Sequence, residues 1–168
     1  MSTLYNANNV TLNVIGALQL NQWIGASGDW NTPGNWSLGV PTSGQAVLIS
    51  VPGSQTITVS TGASAAQLQS DETLTVNGGT LTLGTPSSVI NNTLNLSSGM
   101  LTANGPLSVN TFNLSGGTLN GGGIVTVAGA MNWSGGLMSG AGSTVVAPAA
   151  GFTLSGSPTL FTRSFDNQ

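Results

Sequence analysis

From Thr73 onward the chain repeats itself. The segment Thr73-Leu74-Thr75-Val76-Asn77-Gly78-Gly79-Thr80-Leu81 is followed by Thr93-Leu94-Asn95-Leu96-Ser97-Ser98-Gly99-Met100-Leu101. Next comes Thr111-Phe112-Asn113-Leu114-Ser115-Gly116-Gly117-Thr118-Leu119. Looser copies start at Met131 and Phe152, and an earlier one at Ile57. The equivalent positions 74, 94, 112, 131 and 152 are 20, 18, 19 and 21 residues apart. A fixed period of this length belongs to architectures in which one small unit stacks on the next and no unit is stable alone.

Within each copy apolar residues alternate with Thr, Asn or Ser, the two-residue period of a strand, and helical spacing is absent. Glycines at 77–79, 97–99, 115–117 and 134–136 supply the corner conformations that residues with a Cβ resist. A second strand carrying Leu81, Leu101, Leu119, Met138 or Leu160 follows, then another Gly corner, then a third strand such as Leu107 to Val109 or Ile124 to Val127. Three short strands per roughly twenty residues leave no room for crossover helices, so each copy is one rung of a parallel β-solenoid. Six to seven rungs at about 4.8 Å each make a rod on the order of 30 Å tall. Like residues then pile up. Leu74, Leu94, Phe112, Met131 and Phe152 form one expected core column, and Val76, Leu96, Leu114, Trp133 and Leu154 a second, which assigns Trp133 to packing and not to a sugar platform. Outside, Thr75, Asn95, Asn113, Asn132 and Thr153 form an expected polar ladder.

Stacking also explains the composition. Thr, Ser, Asn and Gly make up half of the 168 residues, 3% are charged, and Arg163 is the one cation against four acids. Stacked amides and hydroxyls bond from rung to rung, whereas stacked like charges repel. Without His, Cys or Lys there is no activating partner for the many serines. Asp71-Glu72 is the one carboxylate pair, and adjacent strand residues point to opposite faces, so the two cannot bracket one glycosidic bond; a solvated corner is expected for them. Asn120-Gly121-Gly122-Gly123-Ile124-Val125 lacks the acids of a calcium-binding repeat. No catalytic residue, metal site or cofactor is therefore expected. The absence of basic stretches excludes nucleic acid as a natural partner. The most apolar run, Gly121 to Trp133, is too short and too interrupted to span a bilayer.

Upstream, Val10 to Val14 alternates like a first strand and Val47-Leu48-Ile49 like a later strand of the same rung. The sequence divides into a first rung over 1–56 with a capping insertion over 21–46, repeats over 57–161, and a tail over 162–168, all within one domain. The insertion holds Trp23, Trp30 and Trp36 among several Gly and Pro residues. Such a cluster either covers the apolar end of a solenoid or stacks on a sugar ring.

The string Trp23-Ile24-Gly25, Gly28-Asp29-Trp30-Asn31, Asn35-Trp36-Ser37, Val40-Pro41, Gly44 and Val47-Leu48-Ile49 resembles the opening segment of many bacterial secreted surface proteins. Gln45-Ala46 stands where that pattern has an acidic residue. The Gly-Thr-Leu repeats are similar to autotransporter and filamentous-haemagglutinin-type passenger domains. The resemblance implies a right-handed parallel β-helix, an extracellular or cell-surface location, and no fixed enzymatic activity. Met1 to Leu20 lacks the charged start of a signal peptide, so export would use a signal outside this sequence or another route. The expected function is structural: a self-assembling filament or array subunit whose partner is another copy. The alternatives are an adhesin that holds a surface glycan with Trp23, Trp30 or Trp36, and an ice-binding solenoid that uses the outward Thr/Asn rows, into which Met100 and Leu137 would intrude.

Overall fold

A computed structural model describes residues 18–168, and the strand expected over Val10 to Val14 lies outside them. The described residues begin with β1 (Gln19–Gln22) and β2 (Gly28–Asp29), then run through β3 (Gln45–Ile49), β4 (Thr56–Val59), β5 (Ala63–Ala65) and β6 (Gln67–Ser70). β7 (Thr73–Leu83), β8 (Ser88–Ala103) and β9 (Leu107–Leu114) bend around corners. After them come β10 (Thr118–Asn120), β11 (Ile124–Trp133), β12 (Leu137–Met138), β13 (Ser143–Val146), β14 (Gly151–Leu154), β15 (Thr159–Leu160) and β16 (Ser164–Asn167). Neighbouring strands pair in parallel, as in β4 with β7, β7 with β8, and β8 with β9. The result is a parallel β-solenoid of about six turns.

The coil has three faces. Face A follows the path β1-β3-β6-β8-β9-β11-β13-β16. Face B stacks β2, β4, Thr73 to Val76, Thr93 to Leu96, Thr111 to Leu114, Ala130 to Trp133, and β14. Face C stacks β5, Thr80 to Leu83, Met100 to Ala103, β10, β12 and β15. Shifts of register occur between Val76 and Thr80, between Ile90 and Thr93, and between Val127 and Ala130, all at corners. Copies of 18 to 21 residues therefore differ in length at their corners while their strands stay aligned.

Glycine makes the corner between faces B and C possible. Gly99 and Gly117 have φ of +74° and +65°, and a Cβ on either would sit 2.1 or 2.8 Å from the carbonyl oxygen of the glycine one coil below. Both the conformation and the close approach exclude a side chain.

The core is a stack of the residues that alternate inward. Leu74, Leu94, Phe112 and Met131 are in register and fully buried, as are Val76, Leu96 and Leu114. Trp133 continues the second column at 5% exposed. The last coil departs from the expectation. Phe152 pairs with Met131 but is only partly buried, and Leu154, expected in the core, is 56% exposed. A core column protects a residue only when another coil lies above it, and among the described residues none lies above β14.

Both boundaries also shift. Residues 21–46 are not one insertion, because β1 pairs with β3 and β2 with β4, making Gln19 to Asp29 most of a coil of its own. The irregular excursion is confined to residues 30–44. At the other end the expected tail forms β16, which pairs with β13 and starts a further turn of face A. Burying a Leu side chain fully contributes roughly 1.5–3 kcal/mol, and an empty site in a stack cannot collapse between two fixed coils. Leu94→Ala is expected to lower stability by about 2–5 kcal/mol in urea unfolding.

Candidate functional site

Three parts of the rod stand out: the ladder on face B, the Trp-rich start and the C-terminal end. On face B the Asn95 amide donates to Thr75 Oγ1 at 3.1 Å, Asn113 donates to Asn95 Oδ1 at 2.8 Å, and Asn132 donates to Asn113 Oδ1 at 2.8 Å. Each Asn thus gives one bond downward and takes one from above wherever a further Asn follows, a one-directional chain that a carboxylate could not continue. Met100 and Leu137 do not intrude on it. They pair on face C, Met100 with Thr80 and Thr118, Leu137 with Thr118 and Thr159. The adjoining outward row runs Thr73, Thr93, Thr111 and then breaks at Ala130 and Gly151.

The Trp segment packs against the first described coil. Trp23, Trp30 and Trp36 are 2%, 0% and 3% exposed. Trp36 lies edge-on to both others at 4.8 Å between centroids, and its Nε1 donates to Trp30 O at 2.6 Å. Trp23 Nε1 donates to Ala26 O at 3.1 Å, while Trp30 Nε1 is buried without a partner. Stacking on a sugar needs an open ring face, and all three rings are packed.

The same segment covers a strand edge. Trp23 N bonds Leu48 O in β3, so the neighbouring residues of β1 face the other way. There Ser37 N donates to Gln22 O at 2.9 Å and Ile24 N to Asn35 O at 2.8 Å, with Trp23 and Trp36 in an antiparallel bridge. The buried Asn21 side chain fixes this contact, donating to Gly39 O at 2.7 Å and accepting from Leu38 N at 3.1 Å. Asn21 occupies the core column of Val47 and Leu68.

At the far end Arg163, 3% exposed, is a second buried polar anchor. Its Nε donates to Thr144 Oγ1 at 2.8 Å, and its Nη2 to Gly123 O and Ser143 O at 2.9 and 2.7 Å. Nη1 reaches Gly121 O at 3.2 Å and Ser139 O at 3.5 Å. One fork gathers the carbonyls of two successive corners between faces C and A. Burial pushes the guanidinium down to about 10, so it remains a cation at neutral pH. Phe165, two residues on, packs against Trp133 and Phe152 at 5.7 and 5.1 Å. The tail thus closes part of the core, yet Leu154, Leu160 and Phe161 remain 56%, 49% and 65% exposed.

Asp71 and Glu72 are each held by a hydrogen bond at a corner. Asp71 accepts from the Asn91 amide at 2.6 Å, and that bond, followed by one from Ser50, holds its carboxyl below the ordinary 3.8. Glu72, expected in solvent beside it, is instead buried, with its Oε2 taking the Gln55 N–H at 2.7 Å and closing the corner between faces A and B. Among the described residues no three acidic side chains gather to hold a metal ion, and no helix is long and apolar enough to cross a membrane. Two shallow grooves run outside face A, one beside Pro106 and Ile124 and one beside Leu20 and Gln67, neither with an ionisable lining residue.

Comparison of the chain with protein-family models, with curated proteins and with solved structures finds no match.

Two substitutions test the anchors. Trp30→Ala is expected to cost about 3–5 kcal/mol in thermal or urea unfolding, the cost of emptying a buried aromatic site. Arg163→Met leaves corner carbonyls short of donors and is expected to cost about 1.5–3 kcal/mol, with amide exchange accelerated first in β16.

Proposed function

We propose that the chain is a non-catalytic structural protein of the bacterial cell surface or extracellular matrix, a rod that self-associates through the end of its coil. The observation that carries this reading is the last coil, where β14 and β15 present strand edges unpaired among the described residues beside the exposed Leu154, Leu160 and Phe161. An uncovered parallel edge is a template for another strand. The outward rows of Thr, Asn and Ser support a rod that presents geometry and not reactive groups. A composition without His, Cys or Lys leaves acid–base and nucleophilic chemistry without its usual carriers. The surface location rests on the likeness of residues 23–49 to the opening of secreted surface proteins.

The test is direct. Light scattering after size exclusion, with electron micrographs of the same fractions, is expected to show assemblies that grow with protein concentration. Monodisperse monomers across salt and pH overturn the reading.

A further inference from the structure

Face A turns a different surface outward from that of face B. Where face B presents Thr75, Asn95, Asn113 and Asn132, the outer rows of face A carry Leu20, Ala46, Leu48, Val89, Pro106 and Ile124. Leu20 and Ile124 are 48% and 50% exposed, and each lines one of the two shallow grooves outside this face. Coil stacking needs no aliphatic residue on the outside, as face B shows, so these positions are free to meet something beyond the rod.

Their order says what. Along β1, β3, β6, β8, β9 and β11 one outer row reads Leu20, Ala46, Gln67, Ser87, Pro106, Ile124. The apolar residues occupy the two strands at each end, and the polar ones the two in the middle. A half-turn about an axis lying along the strands between β6 and β8 exchanges β1 with β11, β3 with β9 and β6 with β8. It sets Leu20 of one copy on Ile124 of a second, Ala46 on Pro106 and Gln67 on Ser87, so the row matches itself read backwards. A half-turn about an axis parallel to the rod sets Leu20 on Gln22, Pro106 on Ser108 and Ile124 on Thr126, and that match is lost.

We infer that face A is a lateral interface on which a second copy packs sheet to sheet with its coil running the opposite way. Such a two-fold contact is isologous: Leu20 meets Ile124 and Ile124 meets Leu20, each entering the groove beside the other. None of the outer-row residues in the overlap is charged, since Asp166 on β16 lies two strands beyond β11. Six strands at about 4.8 Å and four residues at about 3.3 Å span roughly 29 by 13 Å. A footprint on the order of 400 Å² per copy belongs with weak, reversible contacts. The inference rests on reading the chain as self-associating and adds a side-to-side contact to the one at the coil end.

Because the chain has no cysteine, single thiols can report the arrangement. Sheets packed face to face lie about 10 Å apart, which leaves roughly 5 Å between thiols that point at each other, a gap bridged by dibromobimane. A Leu20→Cys chain mixed with an Ile124→Cys chain is expected to give a covalent dimer. Either chain alone is expected to give none, because like positions then lie about 24 Å apart, five strand spacings. Adding Ser108→Asp to the Ile124→Cys chain sets a carboxylate against Leu48 of the other copy. That variant is expected to keep its melting temperature and lose about tenfold in cross-linking yield. If the mixture gives no covalent dimer while light scattering shows the wild-type chain assembling, the face A contact is wrong and association through the coil end stands. Cross-linking of the Leu20→Cys chain by itself, or an unchanged yield with Ser108→Asp, also overturns the antiparallel packing. A wild-type chain that stays monomeric together with an unlinked mixture overturns both readings.

Discussion

Adjacent strands in this protein run parallel, and away from the corners they stay in register, so the neighbour above and below a side chain is its own counterpart one coil away. Whatever occupies a position must tolerate contact with something like itself. Leu on Leu gains burial, Asn on Asn gains a hydrogen bond, and Gly on Gly lets two corners touch. Lys on Lys or Glu on Glu would gain nothing and repel. The scarcity of charge is therefore a property of the packing more than of the surroundings in which the chain works. A group used once, by contrast, interrupts a column.

The interruptions occur where the repetition stops. Asn21 stands at the foot of a core column that continues as Val47 and Leu68, and its amide binds the segment that turns back over β1. Arg163 stands near the other limit, drawing together carbonyls from two corners. A buried backbone group needs a partner, and each of these buried polar side chains supplies one where the described strands do not. The three tryptophans do the equivalent for the apolar interior. Buried aromatic area packs the start of the described coils, at the cost of one indole N–H left without a partner.

The middle of the rod was legible in the sequence because periodicity averages over copies. Leu74, Leu94 and Phe112, or Asn95, Asn113 and Asn132, are recognisable as columns since each is stated several times. The ends were not legible for the complementary reason. A partial coil whose second strand is only Gly28–Asp29 leaves no alternating pattern to read, so β1 and β2 merged into an apparent insertion. Arg163 and Glu72 resemble ordinary surface charges until the fold buries them. Leu154 shows the converse: its place in the repeat was right and its environment was not, because burial depends on whether another coil covers the position. The alternation of residues 164–167 was too brief to separate a strand from a tail.

With Arg163 turned inward, the outside of the described rod offers no positive side chain, and its few negative ones sit at corners and near the ends. An electrostatic field reaching about 10 Å into 0.1 M salt needs sources that this surface hardly provides. Approaching molecules therefore meet a surface that is nearly silent at a distance and informative only on contact, where individual hydroxyls, amides and strand edges are felt. Ionic strength is a weak lever on such an object, and the fit of one surface against another is a strong one.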